Sequence, residues 1–257
     1  VAGSLTRTVL DTALWLDVVS GPADGDAHVA RAPERPFAES ARTPPGKLRI
    51  AVSVKSPVQP GTVHDVVERG VAETADILRS LGHDVQERDP RYGEMRPTFL
   101  PRWLRGIHDD AAAMAHPERL EKRTRTLSAV GRRFSDKAVR RALQRESKDW
   151  ARIGKLFDDF DVLLTPTIPH PPREIGRYDG RGPLWTVLGA GNTAPFTTPW
   201  NVTGQPSMSL PAPNTYRGLP LAVQLIGRPH DESTLISLAA ALEAEVGWPA
   251  RRPPVDE

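Results

Sequence analysis

Between Lys47 and Glu87 the apolar residues change period twice, and this constrains the fold more than any other feature of the chain. KLRIAVSV (47–54) alternates apolar and polar side chains, as a half-buried strand does. From Thr62 to Leu81, Val63, Val66, Val67, Val71, Ile77, Leu78 and Leu81 recur at helical spacing up to Gly82, and HDVQE around Val85 is strand-like again. Strand, helix, strand at this length is a βαβ unit, the connection that joins parallel strands of one sheet.

The rest of the chain extends that pattern. Residues 6–19 carry an amphipathic helical pattern with Thr6 or Ser4 as N-cap and Gly21-Pro22 as the stop. Residues 22–46 are aperiodic and read as an exposed connection, and 97–158 read as a layer of Arg-rich helices broken near Pro117 and Gly131. DVLLTPT (161–167) is a short continuous apolar run that suits a strand buried on both faces. PSMSLP (206–211) and LPLAVQLIG (219–227) read as strands separated by the turn-prone APNTYRG, before a helix over 232–246 and a tail over 246–257. The expectation is a single α/β domain over 1–257, with a mixed, mostly parallel twisted sheet and helices on both faces.

Composition then removes whole classes of function. Thirty-four Lys and Arg against 32 Asp and Glu leave a formal charge of +2, which argues against a nucleic-acid partner. The chain has no cysteine, so disulfides, thiolate metal sites and cysteine nucleophiles are excluded and a reducing compartment, the cytoplasm, is the expected location. No apolar run approaches the ~20 residues of a membrane span. The seven histidines are scattered without an HExxH or an i, i+4 pair, so no metal site and no cofactor is expected. The first residue is Val and a helix follows within a few positions, which points to an interior beginning.

Three segments, SLTRTVLDTALWLDVVSGP (Ser4 to Pro22), DVLLTPTIP (Asp161 to Pro169) and PFTTPWNVTGQPSMSLPAPNTYRGLPLAVQLIGRPHDESTLISLAAALE (Pro195 to Glu243), resemble the amidase-signature family in order and spacing. The resemblance is to the C-terminal half of that fold. It implies hydrolysis of a carboxylic amide by a serine nucleophile, a second serine with a cis peptide bond and a lysine base, with backbone N–H groups of a glycine-rich loop holding the oxyanion. All of these lie upstream of the segments matched here, so no catalytic residue is expected in this chain. Lys47, Lys55, Lys122, Lys137, Lys148 and Lys155 fall in a strand, its flank or charged helices, and no serine lies in a glycine-rich elbow. The glutamine-using branch of the family has an acidic residue where this chain has Ala194, which points to a simple amidase.

Two loops are the candidate pocket walls. Thr165 and Thr167 flank Pro166 at the end of a central strand, where open α/β sheets bind ligands; the alternative is a strand-ending turn capped by the threonines. Thr198, Trp200, Asn201, Thr203, Gly204 and Gln205 resemble the family segment that approaches the substrate, with Trp200 as an apolar wall; the alternative is a local turn into the next strand. The expected partners are a small amide and the missing N-terminal half, with a homodimer left open. The competing expectation is a catalytically dead, stand-alone protein or subunit that uses the same sheet as an interaction surface. A severed half should expose apolar surface over the first helix or beside the strand at 161–165.

Overall fold

The structure is a computed structural model that describes residues 3–25, 31–58, 61–183, 185, 189 and 192–252. Its strands are β1 (Arg49–Val52), β2 (Asp84–Glu87), β3 (Val162–Pro166), β4 (Ser207–Tyr216) and β5 (Leu219–Gly227), in one sheet of order β2-β1-β3-β5-β4. β1 runs parallel to β2 and β3, whereas β5 is antiparallel to both β3 and β4. Four strands therefore point one way and β5 alone points back, because the two-residue turn after β4 makes a hairpin. In that turn Arg217 and Gly218 both have positive φ, 51° and 80°, the geometry that matches the twist of a tight hairpin.

The helices are α1 (Val9–Val19), α2 (Phe37–Ser40), α3 (Asp65–Ser80), α4 (Arg96–Ala113), α5 (Lys122–Gly131), α6 (Asp136–Gly154), α7 (Leu156–Asp159), α8 (Thr198–Thr203) and α9 (Glu232–Val246). They divide between the faces of the sheet by the period-2 rule. Ile50, Val162, Leu164, Val223 and Leu225 point into a core shared with α1, α3 and α9. Their chain neighbours Ala51, Leu163 and Ile226 point into a second core shared with α7, the end of α6, Tyr92, Met95, Trp200 and Val202. All five residues of β3 are buried, as the continuous apolar run requires of a strand covered on both sides.

Several boundaries differ from expectation for identifiable reasons. α1 begins at Val9 because Thr8, rather than Thr6 or Ser4, accepts the Asp11 N–H at 3.1 Å. The stretch 22–46 is not exposed throughout: Phe37, Ala38 and Ser40 are buried, and Asp17 of α1 accepts the N–H groups of Phe37 and Ala38 at 2.6 and 2.9 Å. Most of APNTYRG is strand, carried past Pro211 by an irregularity in the β4–β5 register before Thr215. Within the expected tail Trp248 is buried, and Arg251 donates to the carbonyls of Ala212, Pro213 and Val246.

His83 ties the first βαβ unit together and gives it a pH dependence. The ring is buried after α3, where Nδ1 accepts the Leu48 N–H at 3.2 Å, and burial lowers its pKa below the ordinary value. A lowered folded pKa means the unfolded chain binds the extra proton. The stabilisation is therefore full above about pH 6.5 and is lost as pH falls through the depressed folded value. Urea midpoints measured on either side of about pH 6.5 should fall on the acid side, and His83→Asn should reduce that fall; an unchanged slope in the variant would contradict the assignment.

Candidate functional site between the strand β3 loop and helix α8

β3 delivers its C-terminal end into the candidate site. Thr165 is fully buried on the face of the sheet that carries Leu163, its hydroxyl donating to the Pro166 carbonyl at 3.0 Å. Opposite it on β5 stands Gln224, buried, whose Oε1 has no hydrogen-bond partner. Thr167 donates its N–H to the Ala222 carbonyl at 3.3 Å, and its hydroxyl lies 3.0 Å from that of Ser209 on β4. Ser207 and Ser209 are exposed, so beyond Gln224 this face is open and polar.

α8 forms because Pro199 sits in its first turn, where its missing N–H costs nothing, and it stops because Gly204 takes a left-handed conformation at φ 72°. Its side chains do different jobs. Thr198 and Asn201 bond back to Ala194 and Thr197, and Asn201 is exposed. Trp200 is buried edge-on to Tyr92, with ring centroids 6.3 Å apart and Nε1 unpartnered. Thr203 Oγ1 lies 3.0 Å from the Pro199 carbonyl and 2.9 Å from Gln205 Oε1; with one proton to give, it donates to one of them. Gln205 is itself buried, its Nε2 unpartnered.

Tyr92 is held in place from behind. Asp149 of α6 accepts from Thr98 of α4 and from Arg152, both at 2.5 Å, and Arg152 also donates to the Tyr92 carbonyl at 2.7 Å. Burial, with Asp89 adding to it, pushes the Tyr92 phenol above its ordinary value, so it stays protonated.

The two candidate loops are brought to the same side of the sheet, but none of their eight residues lines the cavity between them. That cavity, of about 210 Å3, is bounded by Ser56, Val58, Gly61 and Thr62 after β1, by Pro169, His170 and Arg173 after β3, and by Asn192 and Pro195 before α8. Desolvation lowers the pKa of His170, and Arg173, His64 and Arg177 lower it further. Reading the sequence alone missed His170 and Arg173. The available signal was their place, immediately downstream of the loop that ends a buried central strand.

A second cavity, of about 400 Å3, lies between α4 and α5 and contains the one serine–histidine contact found among the described residues: His108 Nδ1 to Ser128 Oγ at 3.2 Å. Ser128 sits inside α5, where neighbouring N–H groups are consumed by the helix, and among the described residues no carboxylate bonds to His108. The pair lacks the oxyanion donors and orienter that amide hydrolysis requires. Among the described residues no group of three His, Asp or Glu side chains could hold a metal ion, and no helix is long and apolar enough to cross a membrane.

The comparisons with known proteins agree with this architecture. The amidase family model matches residues 1–236. A Mycobacterium tuberculosis protein named as amidase AmiB2 is 41% identical over 257 residues, covering 99% of this chain and 54% of that protein. The 6-aminohexanoate-cyclic-dimer hydrolase of a Pseudomonas strain is 31% identical, covering 98% of this chain and 55% of that protein. The solved structure of 6-aminohexanoate cyclic dimer hydrolase with its substrate superposes with a TM-score of 0.87 at 26% identity, over 96% of this chain and 55% of that one. The chain thus spans about half the length of these relatives. On the extent of the family match and the shared amidase-signature fold, it belongs to the amidase family.

Proposed function

We propose that this chain is the C-terminal part of an amide hydrolase that cleaves a carboxylic amide C–N bond, with the serine, cis-serine and lysine triad in an N-terminal half. In this reading the chain supplies five strands and one wall of the substrate pocket and is inactive alone. The observation that carries it is a family match running through residues 1–236 of a chain that spans 54% of its relative. The site chemistry is consistent: the sheet presents hydroxyls and buried amides, and the His108–Ser128 pair cannot stabilise a tetrahedral intermediate. The absence of cysteine supports a cytoplasmic location.

α1 supplies the surface for the other half. It is apolar almost all round, yet it buries Val9 and Ala13 while Leu14 and Val18 are 47% and 84% exposed. β3, in contrast, is fully covered. The second reading, a stand-alone protein, draws on the sheet edges: β2 is short and charged, and β4 carries Pro211 and Pro213, both devices that protect an edge.

The readings part on α1. Leu14→Asp with Val18→Asp should leave the urea midpoint of the isolated chain nearly unchanged, within about 0.5 kcal/mol for a surface change. The same pair should abolish co-purification with the separately expressed N-terminal half. Failure of the unaltered chain to co-purify with that half would favour the stand-alone protein, and undiminished co-purification of the variant would place the contact on a surface other than α1.

A further inference from the structure

We infer that the cavity bounded by His170 and Arg173 is a carboxylate subsite, and that the substrate of the completed enzyme is an amide bearing a free carboxylate away from the scissile bond. The substrate half of this inference rests on the amide hydrolysis proposed above.

The charge of the cavity is one-sided. Arg173 lines it and makes no ion pair with any described residue, so no carboxylate of the described chain neutralises its charge there. The charges that act on His170 come from Arg173, His64 and Arg177, all basic groups. An unpaired guanidinium facing a small, polar, partly desolvated space is the side chain best suited to a planar two-oxygen anion, which it binds through two parallel N–H donors. Thr62 and Asn192 stand on the same walls with a hydroxyl and an amide able to donate to such a group, while the Ser56 hydroxyl donates to the Val58 carbonyl at 2.8 Å.

Charge also selects among anions. Arg173 is the one permanent cation bounding the cavity among the described residues, and burial favours neutral His170. One positive charge matches a carboxylate better than a phosphate dianion. The position suits a substrate tail: the cavity opens between the loop that ends β3 and the segment that leads into α8, beside the two candidate walls. Arg173 is exposed and holds no other group among the described residues, so its replacement leaves the fold intact.

The test titrates the full 257-residue chain with acetate or inorganic phosphate while following the His170 ring by NMR. Acetate should shift the ring signals saturably and raise the pKa of His170, and Arg173→Ala should weaken acetate binding about tenfold. No saturable shift, an equal shift in Arg173→Ala, or phosphate binding tighter than acetate would overturn the carboxylate assignment. A second arm uses the chain completed with its N-terminal half and two matched pairs of amides, succinyl against butyryl 4-nitroanilide and 4-acetamidobenzoate against acetanilide. The carboxylated member of one pair should show a kcat/KM about tenfold higher, and Arg173→Ala should remove the preference. Equal turnover within both pairs would sink the substrate inference while amide hydrolysis stands. Acetate binding as expected with no turnover of any amide would instead sink amide hydrolysis and leave the subsite in place.

Discussion

Leu164→Ala should destabilise the chain by about 3–5 kcal/mol, the upper part of the range for a fully buried leucine. Leu164 is the middle residue of a strand without an exposed position, paired with Val52 on one side and Leu225 on the other, and its side chain enters the core beneath α3 and α9. No loop can collapse into the space left behind, because both neighbours are sheet strands held by their own ladders. Leu143 on α6 is the control: it is 47% exposed, and its truncation should cost under about 1 kcal/mol. Urea midpoints of the two variants should differ widely, and similar values would mean that β3 is not the centre of the fold.

Gly131→Ala should destabilise by about 3 kcal/mol, although alanine is the better helix former by about 1 kcal/mol. Gly131 ends α5 where it crosses α4, and a Cβ there would run into the Leu104 carbonyl, backbone that cannot rotate away, with the His108 Cβ also at 3.0 Å. Gly106 lies on α4 itself with nothing near its missing Cβ. Gly106→Ala should therefore stabilise by about 0.5–1 kcal/mol, opposite in sign to Gly131→Ala. Thermal unfolding of both variants reads this directly, and two changes of the same sign would show that the α4–α5 crossing is looser than described.

The sheet was legible in the sequence because its signals are local. The unbroken run DVLLTPT and the helical spacing of 62–81 report how many faces of β3 and α3 are covered, whereas the alternation of KLRIAVSV locates β1 but understates its burial, since Ile50 and Ala51 face the two cores on opposite sides of the sheet. What escaped depended on partners far away in the chain. Phe37 and Ala38 are buried because a carboxylate twenty residues earlier takes their N–H groups, and no local pattern announces that. APNTYRG has the composition of a turn, yet its prolines sit on an edge strand, where a missing N–H is tolerated, and only Arg217-Gly218 turns. Thr8 rather than Thr6 caps α1 by a difference of two residues, within the reach of competing hydroxyls.

The candidate site was legible as a place and less so as a set of side chains. The family resemblance located both loops, and the structure puts them on one side of the sheet. It also places Trp200 in the core against Tyr92 and turns Asn201 outwards, so within α8 packing and local bonding take up most of the residues named. The cavity itself is walled by three segments distant in sequence, after β1, after β3 and before α8. His170 and Arg173 acquire significance only once those segments meet.

The central claim, that this chain builds part of an amidase and leaves the chemistry to another segment, is tested most directly by amide turnover with and without the N-terminal half. The account predicts no hydrolysis of a 4-nitroanilide by the 257-residue chain, and turnover when the separately expressed half, carrying its lysine and serines, is added. Turnover by the isolated chain that disappears on replacing one of its own serines, Ser128 first among them, would contradict it.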